Sequence, residues 1–299
     1  MTDKDIITLA HGNGGFLTHN LIKQVFTSVF DNPILNIQGD SAIVKLEDNN
    51  IVFTTDSFVI KPLFFPGGDI GKLAVTGTVN DLAVSGAIPK YISASFIIEE
   101  GVAIDQLKAI SESMQKTAEN AGVKIVTGDT KVVERGSADK LFITTTGIGN
   151  LIYKDTVYKP SNMRAGDCVL LSGTLGDHTT SILSVRSEYP LKINTISDCA
   201  PLNDLTERLI RAVPKESIRI MRDPTRGGLA TTLNEFTNGC GLSIEIEEAK
   251  IPCKQEVQAV CELTGFDLLY LANEGKLVVV CAKEQCRKLL GIMHSHPLG

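Results

Sequence analysis

With 299 residues, of which 43% are hydrophobic and 21% charged, the chain holds enough apolar material for two domains with separate cores and is not a disordered polymer. Lys+Arg 29 against Asp+Glu 35 gives a net charge of −6 with no basic run, which argues against nucleic acid or an anionic membrane as partner. The acidic start MTDKDIITLA is no signal peptide, the apolar stretch 277–282 is too short to span a bilayer, and seven scattered Cys without a C-x-x-C pair read as reduced, cytoplasmic thiols.

In chain order, apolar residues at 17, 21, 22, 25, 26, 29 and 30 have the spacing of an amphipathic helix. Segments 42–46 and 51–56 flank Asp48-Asn49-Asn50 and read as two strands and a turn. A helix over 70–87, a strand over 91–98 and a helix over 104–121 follow; the last has apolar or small residues at 104, 107, 110, 114, 118 and 121 and stops at Gly122. Strands are expected over 124–128 and 141–149. Lys159-Pro160-Ser161-Asn162 is a polar join, after which a strand over 168–172 opens a second half of shorter helices and strands. The organisation is two α+β domains, 1–155 and 156–299, with no repeat.

Asp81 is the only charge within LAVTGTVNDLAVSGAI (73–88), and a carboxylate there needs a cation or donors. Asp56 closes IVFTTD, Asp129 closes KIVTGD, and Asp40 opens GDSAIVKL. Alone, each of these reads as a turn or cap residue. As a set they suit a hard cation such as Mg²⁺, held with the phosphates of a nucleotide.

The glycines of His11-Gly12-Asn13-Gly14-Gly15 precede a helix and offer backbone N–H groups to an anion, although such loops commonly serve as turns. Residues 66–73 fail as a Walker A loop, because Pro66 replaces the first Gly and Leu73 the Ser/Thr. Gly128-Asp129-Thr130-Lys131-Val132-Val133-Glu134 reads as a charged loop after a strand, in which Lys131 can meet a phosphate or reacting oxygen and Glu134 can take a proton. Residues 222–229 read as a strand-to-helix junction, either an anion site or plain capping. Gly176-Asp177-His178 and Asn273-Glu274-Gly275 show no decisive chemistry. His294 and His296 lack a third ligand for zinc, and Cys168, Cys240 and Cys281 are expected to be small buried hydrophobes.

The strings 54–89, FIIEEG (96–101), IVTGDTKVVERG (125–136), RDPTRGGLATTLNEF (222–236) and LANEGK (271–276) resemble the HypE family of [NiFe]-hydrogenase maturation proteins, and they run through most of the chain. The wider superfamily includes aminoimidazole ribonucleotide synthetase, selenophosphate synthetase and thiamine-monophosphate kinase. The resemblance implies an α+β, PurM-like fold with an N-terminal sheet domain that forms a homodimer and a C-terminal α/β domain. It implies ATP and Mg²⁺ near the dimer interface, contacted by Asp40, Asp56, Asp81 and Asp129. Gly12, Gly14 and Gly15 would lie over the phosphates, with Asn80, Gly128 and Thr130 also at the nucleotide and Lys131 and Glu134 near the reacting amide. The implied reaction is ATP-dependent dehydration of a carboxamide on a C-terminal Cys to a thiocyanate, with HypF as carbamoyl donor and HypC–HypD as cyanide acceptor.

Three departures stand out. Ser41 replaces a second Asp, Phe16 replaces a basic residue, and the sequence stops at His296-Pro297-Leu298-Gly299 without the family's Pro-Arg-Ile-Cys terminus. The expectation is that these 299 residues carry no carbamoyl group unless such a tail is supplied. Two alternatives stay open: a non-catalytic HypE-like dimer that binds ATP and maturation partners, and a superfamily enzyme with a small-molecule substrate. Selenophosphate synthetase is disfavoured, since the first Cys is Cys168.

Overall fold

The computed structural model describes residues 6–8, 11, 16–33, 51–186, 193–237 and 240–299. The expected strand over 42–46 and the turn at 48–50 lie outside the described residues. The chain forms two compact units: Met1–Phe64, Gly68–Thr78 and Pro89–Asn150 in the first, and Phe65–Gly67, Val79–Ile88 and Leu151–Gly299 in the second.

The first unit opens with α1 (Phe16–Leu21), which widens into a π-helical turn over Ile22–Thr27 instead of continuing as one helix. The Thr27 hydroxyl donates to the Ile22 and Lys23 carbonyls and the Ser28 hydroxyl to Gln24, so side chains compete for the helix's own acceptors. Val25, Phe26 and Phe30 are buried, and the Phe26 ring lies 4.8 Å from that of Phe96.

Strand β1 (Ile51–Phe58) leads through the short β2 (Phe64–Phe65) and β3 (Gly68–Asp69) into α2 (Ile70–Val84). The Asp69 carboxylate accepts from the Gly71 and Lys72 amides, capping α2, and burial pushes its pKa up. The helix stops three residues earlier than the sequence suggests, because Gly86 adopts φ +82° and Ala87 already starts β4 (Ala87–Glu99).

Helix α3 (Ile104–Ala121) has the bounds its periodicity gives: Leu107, Ile110, Met114, Ala118 and Ala121 are buried, and Gly122 ends it at φ +69°. It connects β4 to the parallel β5 (Lys124–Val133), and β6 (Leu141–Leu151) completes a sheet of order β1-β6-β4-β5. Strand β5 runs five residues beyond the expected end at Gly128, since pairing with β4 continues to Glu99↔Val133.

In the second unit, β7 (Cys168–Leu171), α4 (Asp177–Ser184), α5 (Asn203–Ala212), β8 (Ile218–Arg222), α6 (Gly228–Thr237), α7 (Gln255–Thr264), β9 (Val278–Cys281) and α8 (Lys283–His294) follow in order. The sheet is antiparallel, β7-β9-β8, with β9 in the middle. All four β9 residues are buried because alternate side chains enter different cores. Val279 and Cys281 pack with Leu205 and Leu209 of α5 and Leu289 and Met293 of α8. Val278 and Val280 pack with Leu229, Leu233 and Phe236 of α6. This is an α/β unit with helices on both faces of its sheet. Cys281 is buried as expected, whereas Cys168 and Cys240 are only half-buried. No helix among the described residues is long and apolar enough to cross a membrane.

A Cβ at Gly128 would stand 2.2 Å from the Ala94 carbonyl oxygen across the β4–β5 pair, whereas one at Gly122 meets nothing within 4 Å. Gly128→Ala is expected to cost about 3 kcal/mol through strand separation. Gly122→Ala should cost about 1 kcal/mol, through its left-handed backbone alone. Chemical denaturation of the two variants measures the difference.

Candidate functional site

In the first unit the expected site residues stand on strands. Asp129 and Lys131 are exposed and alternate with Gly128 and Thr130 along β5, which puts the two charges on one face. Their partners on β4 are Ser95 for Asp129 and Ile97 for Lys131, so this stretch is strand and not the loop its composition suggested. Glu134 lies just past the strand, where its carbonyl accepts from Ser137 in a turn. The Glu99 carboxylate holds that turn by accepting from the Gly136 and Lys140 amides, and these bonds keep its pKa low.

Asp56 is half-buried on β1 opposite Thr145, two residues from Phe58, whose ring would be struck by a Cβ at Gly77 of α2. Strands β1 and β5 are the outer strands of the four, three strand spacings or about 14 Å apart. One ion therefore cannot be shared by Asp56 and Asp129 of one chain. Among the described residues no group of three or more His, Cys, Asp and Glu is placed to hold a metal ion, so the expected convergence of carboxylates on one cation is not seen there. Asp40, Gly12, Gly14 and Gly15 lie outside the described residues.

Asn80 and Asp81 belong to the second unit. Asp81 is half-buried. Asn80 is fully buried: its amide nitrogen donates to the carbonyls of Ala200 and Glu274, and its oxygen accepts from Leu202 N–H at 2.8 Å. Both amide hydrogens of this side chain are thus directed to backbone carbonyls.

The second unit also joins Gly176-Asp177-His178 and Asn273-Glu274-Gly275, which showed no decisive chemistry in the sequence, to the segment that carries Asp198. Gly176, at φ +82°, donates its N–H to Asn273 Oδ1 at 2.7 Å, while Asn273 Nδ2 donates to the carbonyls of Pro224 and Leu271. The Asp198 carboxylate accepts from the Glu274 and Gly275 amides, and burial pushes its pKa up against the opposing pull of Lys276. Asp177 Oδ2 accepts from Thr174 at 2.7 Å and pairs with Lys254 at 2.9 Å and Lys276 at 3.9 Å; its Oδ1 is buried with no hydrogen-bond partner among the described residues. Asp177, Ser197, Asp198, Lys254 and Lys276 line a cavity of about 440 Å³. Beside it, His178 Nδ1 lies 2.9 Å from Ser197 Oγ.

The chain matches the AIR synthase related protein N-terminal domain over residues 38–151 and the corresponding C-terminal domain over 164–299. The carbamoyl dehydratase HypE of Escherichia coli (strain K12) is 49% identical over 298 residues, covering 98% of this chain and 88% of that protein. The chain belongs to the HypE family. Its two-domain PurM-like fold is that of solved HypE structures. A HypE crystal structure in complex with ATP superposes with TM-score 0.93 at 45% identity, covering 97% of this chain and 86% of that one. A HypE–HypF complex superposes with TM-score 0.80 at 50% identity, covering 93% and 90%.

Sequence reasoning missed the Asp177, Asp198, Asn273 and Lys276 group. Only the small polar residues beside Gly at 173–177 and 273–276 hint at it, and that pattern is common in ordinary turns, while the Asp198 segment has no glycine.

Burial lowers the His178 pKa to about 4 from its ordinary 6.5. The unfolded chain then binds the extra proton first, so stability is full above pH 6.5 and is lost as pH falls toward 4. The loss should be on the order of 3 kcal/mol. His178→Gln should flatten this part of the profile, and urea unfolding of both proteins at pH 7, 5.5 and 4.5 measures the difference.

Proposed function

We propose that this chain uses ATP to dehydrate a carboxamide carried on a cysteine sulfur to a thiocyanate, the source of the cyanide ligand of a [NiFe]-hydrogenase iron. The observation that carries the reading is 49% identity to a carbamoyl dehydratase HypE over nearly the whole chain. The similar fold of a HypE solved with ATP supports nucleotide binding, and that of a HypE–HypF complex supports HypF as carbamoyl donor. HypC–HypD is the proposed acceptor of the cyanide, and the cytoplasm the proposed compartment.

An amide oxygen is a poor leaving group until it is phosphorylated; losing phosphate and protons then yields the nitrile. Asp129 on β5 and Asp56 on β1 offer the oxygen donors that Mg²⁺ takes. Bound there, Mg²⁺ supplies charge neutralisation. Gly12, Gly14, Gly15, Asp40, Asp81, Gly128 and Thr130 complete the proposed nucleotide site. Lys131, exposed near the end of β5, is proposed to meet a phosphate or the reacting oxygen, and Glu134, exposed just past the strand, to take a proton.

Asp81→Ala and Asp129→Ala should each weaken Mg-ATP binding more than tenfold, above about 1.4 kcal/mol, by calorimetry. Unchanged affinity in both would remove the metal assignment. With HypF, carbamoyl phosphate and an acceptor tail ending in Cys, intact mass should follow the carbamoyl adduct and its later loss of water. ATP binding without that loss would favour the non-catalytic alternative.

Ile51 and Phe53 on β1 and Val59 beyond it are 44%, 63% and 66% exposed, an apolar surface that suits a two-fold partner. A homodimer through the first unit is the proposed assembly. Light scattering at micromolar concentration should report twice the chain mass, and Phe53→Glu should shift it toward the monomer.

A further inference from the structure

We infer, resting on the proton-taking role proposed for Glu134, that Glu99 is a positioning residue for the dehydration: its carboxylate pins the turn that opens with Glu134. Glu99 is the last residue of β4 and belongs to FIIEEG (96–101), a string to which the proposed reaction gives no other part. Its register partner Val133 is the last residue of β5, and the Glu100 N–H donates to the Val133 carbonyl at 2.9 Å. Glu134 is therefore the first residue beyond the strand pairing, and its carbonyl accepts from the Ser137 N–H at 3.0 Å. Glu99 Oε1 accepts from Gly136, the third residue of that turn, and Oε2 accepts from the Lys140 N–H at 2.9 Å. In return the Glu99 N–H donates to the Lys140 carbonyl at 2.8 Å.

The segment 134–140 has little else to hold it. All of its residues are exposed except Ala138, which is half-buried, so no core fixes its path. Gly136 at φ +89° and Lys140 at φ +66° both take the left-handed region, and Lys140 does so with a side chain. Pinning their two amides at once needs two acceptor oxygens on one side chain. A carboxylate has both, whereas a glutamine has one oxygen and sets N–H groups against the second donor.

A general base acts only within hydrogen-bond reach of the proton it takes. A misplacement of about 1 Å costs on the order of a hundredfold in rate. Glu134 on an unpinned turn would meet that geometry only part of the time. Glu99 does not take the proton itself, because both of its oxygens are engaged by backbone amides.

The test compares Glu99→Gln, Glu134→Gln and the double variant, with Glu99→Asp as the substitute should Glu99→Gln not fold. Intact mass follows dehydration with HypF, carbamoyl phosphate and an acceptor tail ending in Cys. Calorimetry gives Mg-ATP affinity, and hydrogen exchange is followed over the peptide 134–141. Glu99→Gln should dehydrate about tenfold or more slowly, with unchanged Mg-ATP affinity and faster exchange over that peptide. In the Glu134→Gln background the same change should cost less than about twofold, since it acts through Glu134. An unchanged rate in Glu99→Gln, a loss that multiplies in full in the double variant, or a fall in Mg-ATP affinity that matches the fall in rate would overturn the inference and leave the role of Glu134 standing. Full-rate dehydration by Glu134→Gln would instead remove the proposed role of Glu134, and this inference with it.

Discussion

The second unit depends on finding partners for the backbone of chain segments that form neither helix nor strand. Residues 193–202 and 271–277 run without helix or strand, and Thr195, Ser197, Cys199, Leu202, Leu271, Asn273 and Leu277 among them are buried. Their amides and carbonyls would be costly if unpaired. Asn80, Asn273 and Asp198 meet that need with side-chain groups held within the interior. Each binds backbone distant in sequence, which ties these irregular segments to the rest of the second unit.

That constraint explains why the cavity wall is charged yet ordered. Asp198 turns its carboxylate to the loop that ends in Lys276, and Lys276 lies over Gly173, where a Cβ would come within 2.7 Å of its ammonium. Gly173, at φ +56°, thus serves both the turn and the close approach of the lysine. Asp177 is neutralised mainly by Lys254. The two-faced burial of β9 gives these loops a rigid base, since its neighbour β7 leads directly into the Gly173–Gly176 turn.

How far the fold was legible follows from where local physics suffices. Helix α3 was readable to its last residue because a buried stripe and a left-handed glycine are both local signals. Strand β5 was not, because Gly-Asp-Thr resembles a turn; pairing with β4 overrides that tendency, and Gly128 sits where only hydrogen fits against Ala94. At the other extreme, the break of the first helix into a π turn comes from hydroxyl bonds that apolar periodicity does not register.

For the site, the sequence by itself determined the family and the inventory of carboxylates, since these depend on residue identity, whereas pairing with β4 put Asp129 and Lys131 on one strand face. Only the tertiary structure decided that Asp56 and Asp129 stand on opposite outer strands, that Asn80 is committed to backbone partners, and that Asp177, Asp198 and Lys276 line one cavity. The reason is physical. Strand order and buried polar pairing join residues far apart in the chain, and no local period carries the information about which distant backbone group a side chain will meet.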